Sequence, residues 1–238
     1  MTVPNNEKFF LSFDCGTKSL AFTLMQINVP ELILVKQEVC GTLQAIKDGR
    51  ANWSCAFGMI ESWDLRLKSA VRFVSGGVVD LCPGKKDKEI KSVQRIRAVA
   101  TWINTSIQPI ISSFCVEPPI VLVEFQLGAN ANARTVSTAL VTLFANNQIY
   151  IVGPALKNQI TIYGDPHSYW GMFMENLQTN YAANKAHSIY CFRNLAKKLG
   201  WTIPGGVSAK HMHDLADSCM QIFGFMRYGN HKDAVNAF

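Results

Sequence analysis

The chain has 238 residues, of which 48% are hydrophobic, and a formal net charge of +6. This length and apolar content predict one domain over residues 1–238 and exclude a disordered chain. No apolar run is long enough to cross a bilayer, and the N-terminus lacks the pattern of a signal or transit peptide, so we expect an intracellular protein with no membrane partner. The basic charge is compatible with a nucleic-acid partner but also occurs in proteins that bind none.

The N-terminal residues predict an antiparallel meander of three strands. Residues 9–14 form an apolar run that ends on a carboxylate, and residues 20–27 return as a second strand. Between them lies a turn in which Gly16 supplies the backbone freedom that the reversal needs. Residues 32–39 are predicted to be the third strand.

The next stretch has two parts with different patterns. Residues 41–88 are punctuated by glycines and keep no sustained apolar period, which indicates an insertion of undefined structure. From residue 88 to residue 114, apolar side chains recur at three- and four-residue steps and predict a helix. Pro109 should kink or break the last turn of that helix, because proline has no amide hydrogen to donate.

A strand–helix–strand unit follows. Residues 120–124 are a continuous apolar run, typical of a buried parallel strand, and residues 149–152 form another. The helix between them places four apolar side chains on one face: Val136, Leu140, Leu143 and Phe144. The short connections predict a parallel pair of strands in an α/β layer.

Two helices are predicted to close the chain, at about residues 182–199 and 209–226, with Ser208 as a candidate N-cap of the second. Residues 158–180 are aromatic and irregular and form a second predicted insertion. Together the elements predict an α/β fold. Its five-stranded mixed sheet has three antiparallel N-terminal strands and two parallel strands, flanked by helices.

The cysteines argue against two classes of site. They are odd in number and form no CxxC pair, at positions 15, 40, 55, 82, 115, 191 and 219. A zinc site or a secreted disulfide framework is therefore not expected, and reduced thiols are the simpler interpretation.

Acidic residues stand where the predicted apolar elements end. Asp14 closes the first strand and Glu124 closes the first parallel strand, while Asp214 and Asp217 are three residues apart on the last helix and share one face. If the two strands are parallel neighbours, Asp14 and Glu124 emerge together at their carboxyl ends, where sites form in open α/β sheets. Close carboxylates repel one another unless cations hold them, and oxygen ligands favour Mg²⁺ or Mn²⁺. Two such ions support in-line hydrolysis of a phosphodiester.

Each acid taken alone has a simpler interpretation. An Asp beside a glycine turn, such as Asp14, is usually a turn residue, and an acid at a strand end is commonly exposed at a sheet edge. Asp214 and Asp217 alone fit a solvated helix face. The four acids together, in this order and on these elements, favour a metal site.

Three segments resemble the motifs of the RuvC-like Holliday junction resolvases, especially the poxvirus and fungal mitochondrial branches. They are FDCGTKSLA at residues 13–21, VLVEFQ at residues 121–126 and HDLADS at residues 213–218. Residues 152–154 resemble a conserved strand end of that family, and residues 181–185 its Tyr-x-x-x-Lys segment. The resemblance spans residues 9–226 in order and implies a ribonuclease-H-like fold.

The resemblance also implies an activity and its residues. The family suggests a homodimer that binds a four-way junction in branched DNA and nicks two strands with Mg²⁺, using no nucleotide cofactor, in recombination or repair. Carried over by position, the metal ligands are Asp14, Glu124, Asp214 and Asp217. Lys185 is expected to contact the scissile phosphate, with Lys157 as the alternative.

Two positions depart from the family pattern. Phe125 stands where an Arg is common, so one phosphate contact is expected to be missing. His213 stands where an additional Asp is common, and we favour a surface role for it over assistance to a metal-bound water. The role of His211 is left open.

Candidate DNA contacts form a basic run and a few single positions. The run has six cations within thirteen residues: Lys85, Lys86, Lys88, Lys91, Arg95 and Arg97. We favour phosphate contacts over a solvated helix start, because positive charge supplies most sequence-independent affinity for DNA. Lys18 beside the first turn, Gln126 at the end of the second motif and Arg134 at a helix start are further candidates.

Other functions and locations stay open. A related nuclease cutting RNA–DNA hybrids or flaps has the same acids. An ATP-binding protein of the actin and sugar-kinase type shares the fold and an Asp-x-Gly-Thr hairpin, although the second domain and second phosphate loop are missing. The match at residues 181–185 and the absence of a transit peptide favour a viral protein at replication sites in the host cytoplasm or nucleus, with an organelle as the alternative.

Overall fold

The computed structural model describes residues 6–124, 130–153 and 181–228. Its strands are β1 (Glu7–Cys15), β2 (Ser19–Asn28), β3 (Val71–Asp80), β4 (Ile120–Glu124) and β5 (Ile149–Val152). Its helices are α1 (Val29–Lys47), α2 (Trp53–Ala70), α3 (Ser92–Trp102), α4 (Gln108–Phe114), α5 (Ala131–Leu143), α6 (Tyr181–Leu199) and α7 (Met212–Tyr228). Short 3-10 turns span Asp87–Glu89 and Ala209–His211.

The strands form one mixed sheet in the order β3-β2-β1-β4-β5. Strand β2 is antiparallel to β1 and β3, whereas β4 is parallel to both β1 and β5. This topology confirms the predicted ribonuclease-H-like fold with three antiparallel and two parallel strands. The order matters for function because it makes β1 and β4 direct neighbours in the middle of the sheet.

Side chains alternate between the two faces of the sheet, and each face has its own core. Phe10 of β1 packs with Phe225 of α7, their ring centroids 6.3 Å apart, on the face covered by α6 and α7. Phe13 packs with Phe144, at 5.6 Å, on the face covered by α3 and α5. The helices therefore enclose the sheet from both sides, and α7 lies against the centre of one face.

The third strand lies elsewhere than predicted. Residues 32–39 belong to α1, and the third strand is β3, inside the stretch predicted as the first insertion. A helix forms here instead of a strand because two residues favour a helix start. The Asn28 side chain accepts a hydrogen bond from the Glu31 amide at 3.2 Å, and Pro30 occupies the first turn. The insertion between neighbouring strands is the α1–α2 pair, in which Arg66 forms ion pairs with Glu31 and Glu38.

Strand β3 contains two adjacent glycines that look like strand breakers in the sequence. A Cβ atom on Gly76 would lie 2.7 Å from the Phe73 ring and 3.0 Å from Leu215 of α7. A side chain at this position would displace the Phe73 ring or Leu215, so glycine lets α7 lie this close to the sheet. Gly76 is thus a packing residue and not a turn residue.

We expect Gly76→Ala to destabilise the fold by about 1–3 kcal/mol, because the added methyl group overpacks the contact between β3 and α7. Gly41→Ala is the matched control: Gly41 is exposed within α1, and an added Cβ would have no neighbour within 4 Å. That change should stabilise α1 by up to about 1 kcal/mol. Urea unfolding of both variants gives the comparison, and equal effects at the two sites would contradict the packing role of Gly76.

The helix predicted for residues 88–114 is interrupted before Pro109, whereas α4, which contains Pro109, continues to Phe114 without the predicted break. The helix starts at Ser92, and a π-helical segment at Ile103–Ile107 separates α3 from α4. In this segment the Gln108 amide donates to the Ile103 carbonyl, the wider hydrogen bond that accommodates the proline that follows.

Smaller sequence predictions have mixed outcomes. Strand β5, the two closing helices and three of the four apolar positions of α5 are confirmed, but Leu143 is 38% exposed and lies outside the core. The N-cap of α5 is Asn130, whose side chain accepts from the Ala133 amide. Ser208 precedes a 3-10 turn and makes no capping bond with its side chain. Across the described ranges, no helix has the length and apolar character needed to span a bilayer.

The cysteines whose side chains the structure describes are reduced, as expected. Five of them are free thiols: Cys15, Cys82, Cys115, Cys191 and Cys219. Burial raises the pKa of Cys191 to about 12 and that of Cys115 to about 11, so both stay protonated at neutral pH.

Candidate active site

Asp14 and Glu124 end two neighbouring strands at the same edge of the sheet. The parallel register pairs Phe13 with Val123, so the next residues on β1 and β4 are Asp14 and Glu124. Adjacent strands lie about 4.8 Å apart, and both side chains point to the face covered by α7. Asp14 is 9% exposed and Glu124 is 3% exposed. The predicted convergence of these two carboxylates is therefore present in the backbone.

Helix α7 is held across this edge by buried polar contacts. Ser218 hydrogen-bonds Thr23 of β2 at 2.8 Å. The Gln221 side chain accepts from the Ser12 hydroxyl at 2.8 Å and donates to a carboxylate oxygen of Glu124 at 3.2 Å. A shift of α7 by one turn would break all three hydrogen bonds. Each buried polar group left without a partner would cost about 1–3 kcal/mol. These contacts fix the register of the helix on the sheet.

The two acids of α7 lie on the same stripe as Gln221. Asp217 is four residues and Asp214 seven residues before it, a spacing that keeps all three on one helical face. Asp217 is 6% exposed, and a carboxylate oxygen of Asp214 lies 3.4 Å from the Ser19 hydroxyl of β2. The face that carries both acids is therefore turned towards the sheet edge with Asp14 and Glu124.

Asp214 sits between two imidazoles. His211 Nδ1 is 3.0 Å from one of its oxygens, and His213 Nε2 is 2.7 Å from the other. The Lys185 ammonium, on α6, lies 2.6 Å from the same His213 nitrogen. In the tautomer protonated on Nε2, His213 donates to Asp214. In the tautomer protonated on Nδ1, the unprotonated Nε2 accepts from Lys185. The surface role predicted for His213 is wrong, because its side chain is only 17% exposed and bridges the site to α6.

The donors suit a hard divalent cation, but they are not gathered as a coordination sphere. All four acids offer carboxylate oxygens, the ligands preferred by Mg²⁺ and Mn²⁺. Among the residues that the structure describes, no three His, Cys, Asp or Glu side chains are close enough together to hold an ion. The oxygens of Glu124 and Asp214 are instead engaged by Gln221, His211 and His213.

Arg95 is not a DNA contact, contrary to the prediction. Its side chain is fully buried, and its guanidinium donates to the backbone carbonyls of Thr17, Asp87 and Ile90. It also pairs with the Asp87 carboxylate at 2.9 Å. A guanidinium with this many internal acceptors and no exposed surface has a structural role.

The other predicted cations remain available at the surface or fall outside the described residues. Lys85, Lys86, Lys88, Lys91, Arg97 and Arg134 are exposed. Lys18 forms an ion pair with Asp80 at 2.9 Å and keeps 32% of its side chain exposed. Gln126, Lys157 and Phe125 lie outside the described residues.

Sequence reasoning missed the polar residues that hold the site. Ser12, Thr23, Ser218 and Gln221 are all completely buried. Their signal in the sequence is weak but present: Ser12 and Thr23 interrupt otherwise apolar strands at positions that face the core. A buried polar residue needs a partner, so such interruptions mark places where another polar element packs.

No family model matches this sequence, and no curated protein matches it. Among solved structures, the chain is similar to RuvC of Thermus thermophilus, with 14% identity, coverage of 93% of this chain and 96% of that chain, and a TM-score of 0.48. It is also similar to T. thermophilus RuvC in complex with a Holliday junction substrate, with 11% identity, the same coverages and a TM-score of 0.47.

Proposed function

We propose that this protein is a metal-dependent endonuclease that cuts branched DNA, acting as a resolvase of four-way junctions. The observation that carries the proposal is the pair of buried carboxylates, Asp14 and Glu124, at the ends of adjacent parallel strands beneath the acidic face of α7. Buried like charges are costly unless a cation neutralises them, and this cost favours a metal centre over a purely structural role.

Asp14, Glu124, Asp214 and Asp217 would hold Mg²⁺, with Mn²⁺ as a substitute and two ions per site. Bound there, the ions would activate water and stabilise the leaving oxygen of a phosphodiester. The protein's own groups have distinct tasks. Gln221 orients Glu124 through their 3.2 Å hydrogen bond, and His211 and His213 hold the two oxygens of Asp214. Lys185, beside His213, places a positive charge where a phosphate would approach.

The exposed cations favour DNA as the substrate. Lys85, Lys86, Lys88 and Lys91 lie on the segment that follows β3, and Arg134 lies near the start of α5. Each phosphate contact by such a residue adds sequence-independent affinity that depends steeply on salt. Because resolution of a junction requires two nicks, we propose that the active form is a homodimer with one site per subunit.

The proposal is tested with end-labelled substrates of equal length: a four-way junction, a linear duplex, a flap and an RNA–DNA hybrid. We expect paired nicks in the junction alone, dependent on Mg²⁺ or Mn²⁺ and abolished by EDTA. Cleavage confined to the hybrid or the flap would replace the substrate but keep the metal chemistry. A protein that cuts none of them, and whose melting temperature rises with ATP, would contradict the proposal and favour the nucleotide-binding alternative.

A further inference from the structure

The segment that carries the exposed lysines is fastened to the turn that follows Asp14. We call residues 81–91 the basic segment. Residues 15–18, which directly follow Asp14, are called the acid turn. The Leu81 amide donates to the Lys18 carbonyl at 2.8 Å, where the basic segment begins. Further along, Arg95 donates to the Thr17 carbonyl. The acid turn is thus held from two directions by the same stretch of chain.

Arg95 makes this attachment from a buried position. Besides the acid turn, it donates to the carbonyl of Asp87 at 2.7 Å and to that of Ile90 at 3.3 Å, both in the basic segment. One planar guanidinium with several donors in fixed directions therefore joins the two pieces of chain. Lysine in its place would lack that fork of donors.

Asp87 is the third member of this contact between the acid turn and the basic segment. Its carboxylate pairs with Arg95 at 2.9 Å and accepts from Asn132 of α5 at 3.4 Å. Partial burial alone would raise the pKa of Asp87, but hydrogen bonds with Thr17, Arg95 and Asn132 outweigh it and lower that pKa below its usual value. Asp87 is therefore ionised at neutral pH and contacts the acid turn, the basic segment and α5 together.

The cations that would bind DNA lie beside the Asp87–Arg95 ion pair. Lys86 and Lys88 flank Asp87 in the chain, and Arg134 lies two residues after Asn132. Asp14 directly precedes the acid turn. The Asp87–Arg95 pair therefore links the surface that would bind phosphates to one of the carboxylates that would hold the metal. A loose link would leave affinity intact but would let the DNA shift relative to the metal site.

We propose that Asp87 and Arg95 are positioning residues that determine which phosphate is cut, an inference that rests on the proposed nuclease function. DNA repeats its phosphates regularly, so binding tolerates a small shift of the cationic surface. Chemistry does not, because a displacement of about 1 Å at a reacting centre costs on the order of 10²-fold in rate.

The test measures binding, rate and cut position on the same junction. Asp87→Asn should keep the dissociation constant within about threefold, lower the cleavage rate at saturating junction by about 10- to 100-fold, and spread the cuts over neighbouring phosphates. Thr17→Val, which removes only the hydroxyl that meets Asp87, should do the same to a smaller extent. Thermal melting of each variant shows that it is folded, and a loss of folded protein alone would lower the amplitude without moving the cuts.

Two controls separate positioning from affinity and from ion-pair loss in general. The double variant Lys85→Ala/Lys86→Ala should weaken binding and reduce the salt slope, by about 0.9 per lost phosphate contact, with the cut positions unchanged. Glu31→Gln, which removes one ion pair of Arg66 on the α1–α2 pair, should change neither binding nor cut position.

The outcomes distinguish this inference from the proposed function. If the unmodified protein cuts the junction and Asp87→Asn cuts it at the same phosphates and the same rate, the positioning role is overturned and the nuclease function stands. If the unmodified protein cuts no branched substrate with Mg²⁺ or Mn²⁺, both are overturned.

Discussion

Asp14→Asn is expected to lower the rate of metal-dependent junction cleavage by about 10³-fold or more while junction affinity stays within about threefold. The substitution keeps the shape of the side chain and removes its charge, so the proposed metal site would lose a ligand while the fold loses no packing. On the proposed function, junction affinity would come from the exposed lysines and Arg134, so we expect it to stay unchanged.

Single-turnover cleavage and fluorescence anisotropy, the latter in Ca²⁺ to limit cutting, measure the two effects separately. Asp48→Asn is the matched control, since Asp48 is exposed at the end of α1 and pairs with Arg50 at 2.7 Å, away from the sheet edge. It should leave both measurements unchanged. Cleavage by Asp14→Asn near the unmodified rate would remove this residue from the metal site.

Arg95→Leu is expected to lower the free energy of unfolding by about 3–5 kcal/mol, because it leaves the carbonyls of Thr17, Asp87 and Ile90 without the Arg95 donor, at about 1–3 kcal/mol each. A typical domain is stable by about 5–15 kcal/mol, so this loss is a large part of the total. Urea unfolding followed by circular dichroism gives the value.

Arg66→Leu provides the comparison for this measurement. Arg66 also pairs with two acids, Glu31 and Glu38, but its side chain is 28% exposed, where Arg95 has none exposed. Solvent screens such a pair, so the expected loss of stability is much smaller than that of Arg95→Leu. If the two variants lost the same stability, the buried junction around Arg95 would have no special weight in the fold.

The part of the site that is written in the sequence is the part set by strand ends. Asp14 and Glu124 each follow an uninterrupted apolar run, and parallel neighbours bring such ends together whatever the loops do. The same logic places Asp214 and Asp217, because three-residue spacing on an amphipathic helix fixes their common face. These predictions need only local periodicity.

The predictions that failed depend on tertiary contacts or on competition between local signals. Residues 32–39 have strand-forming side chains, yet the cap at Asn28 and Pro30 starts a helix. Gly76 reads as a breaker because its reason for being glycine, the approach of Leu215, is more than a hundred residues away. Arg95 stands in a run of cations that looks uniformly solvated, and its burial follows from the return of the chain to Thr17.

The α1–α2 pair also bears on how the molecule folds. It places about forty residues between Ile27 and Val71, which pair across β2 and β3, where a tight hairpin would place two; closing the longer loop costs about 2.5 kcal/mol more. Prior formation of the two helices shortens the effective loop, so we expect them to precede β3 in folding. Since α7 packs on Gly76 of β3, we expect its final docking to follow this remote helical pair. Slow-folding variants should then map to α1 and α2 and leave the chemistry of the folded protein unchanged.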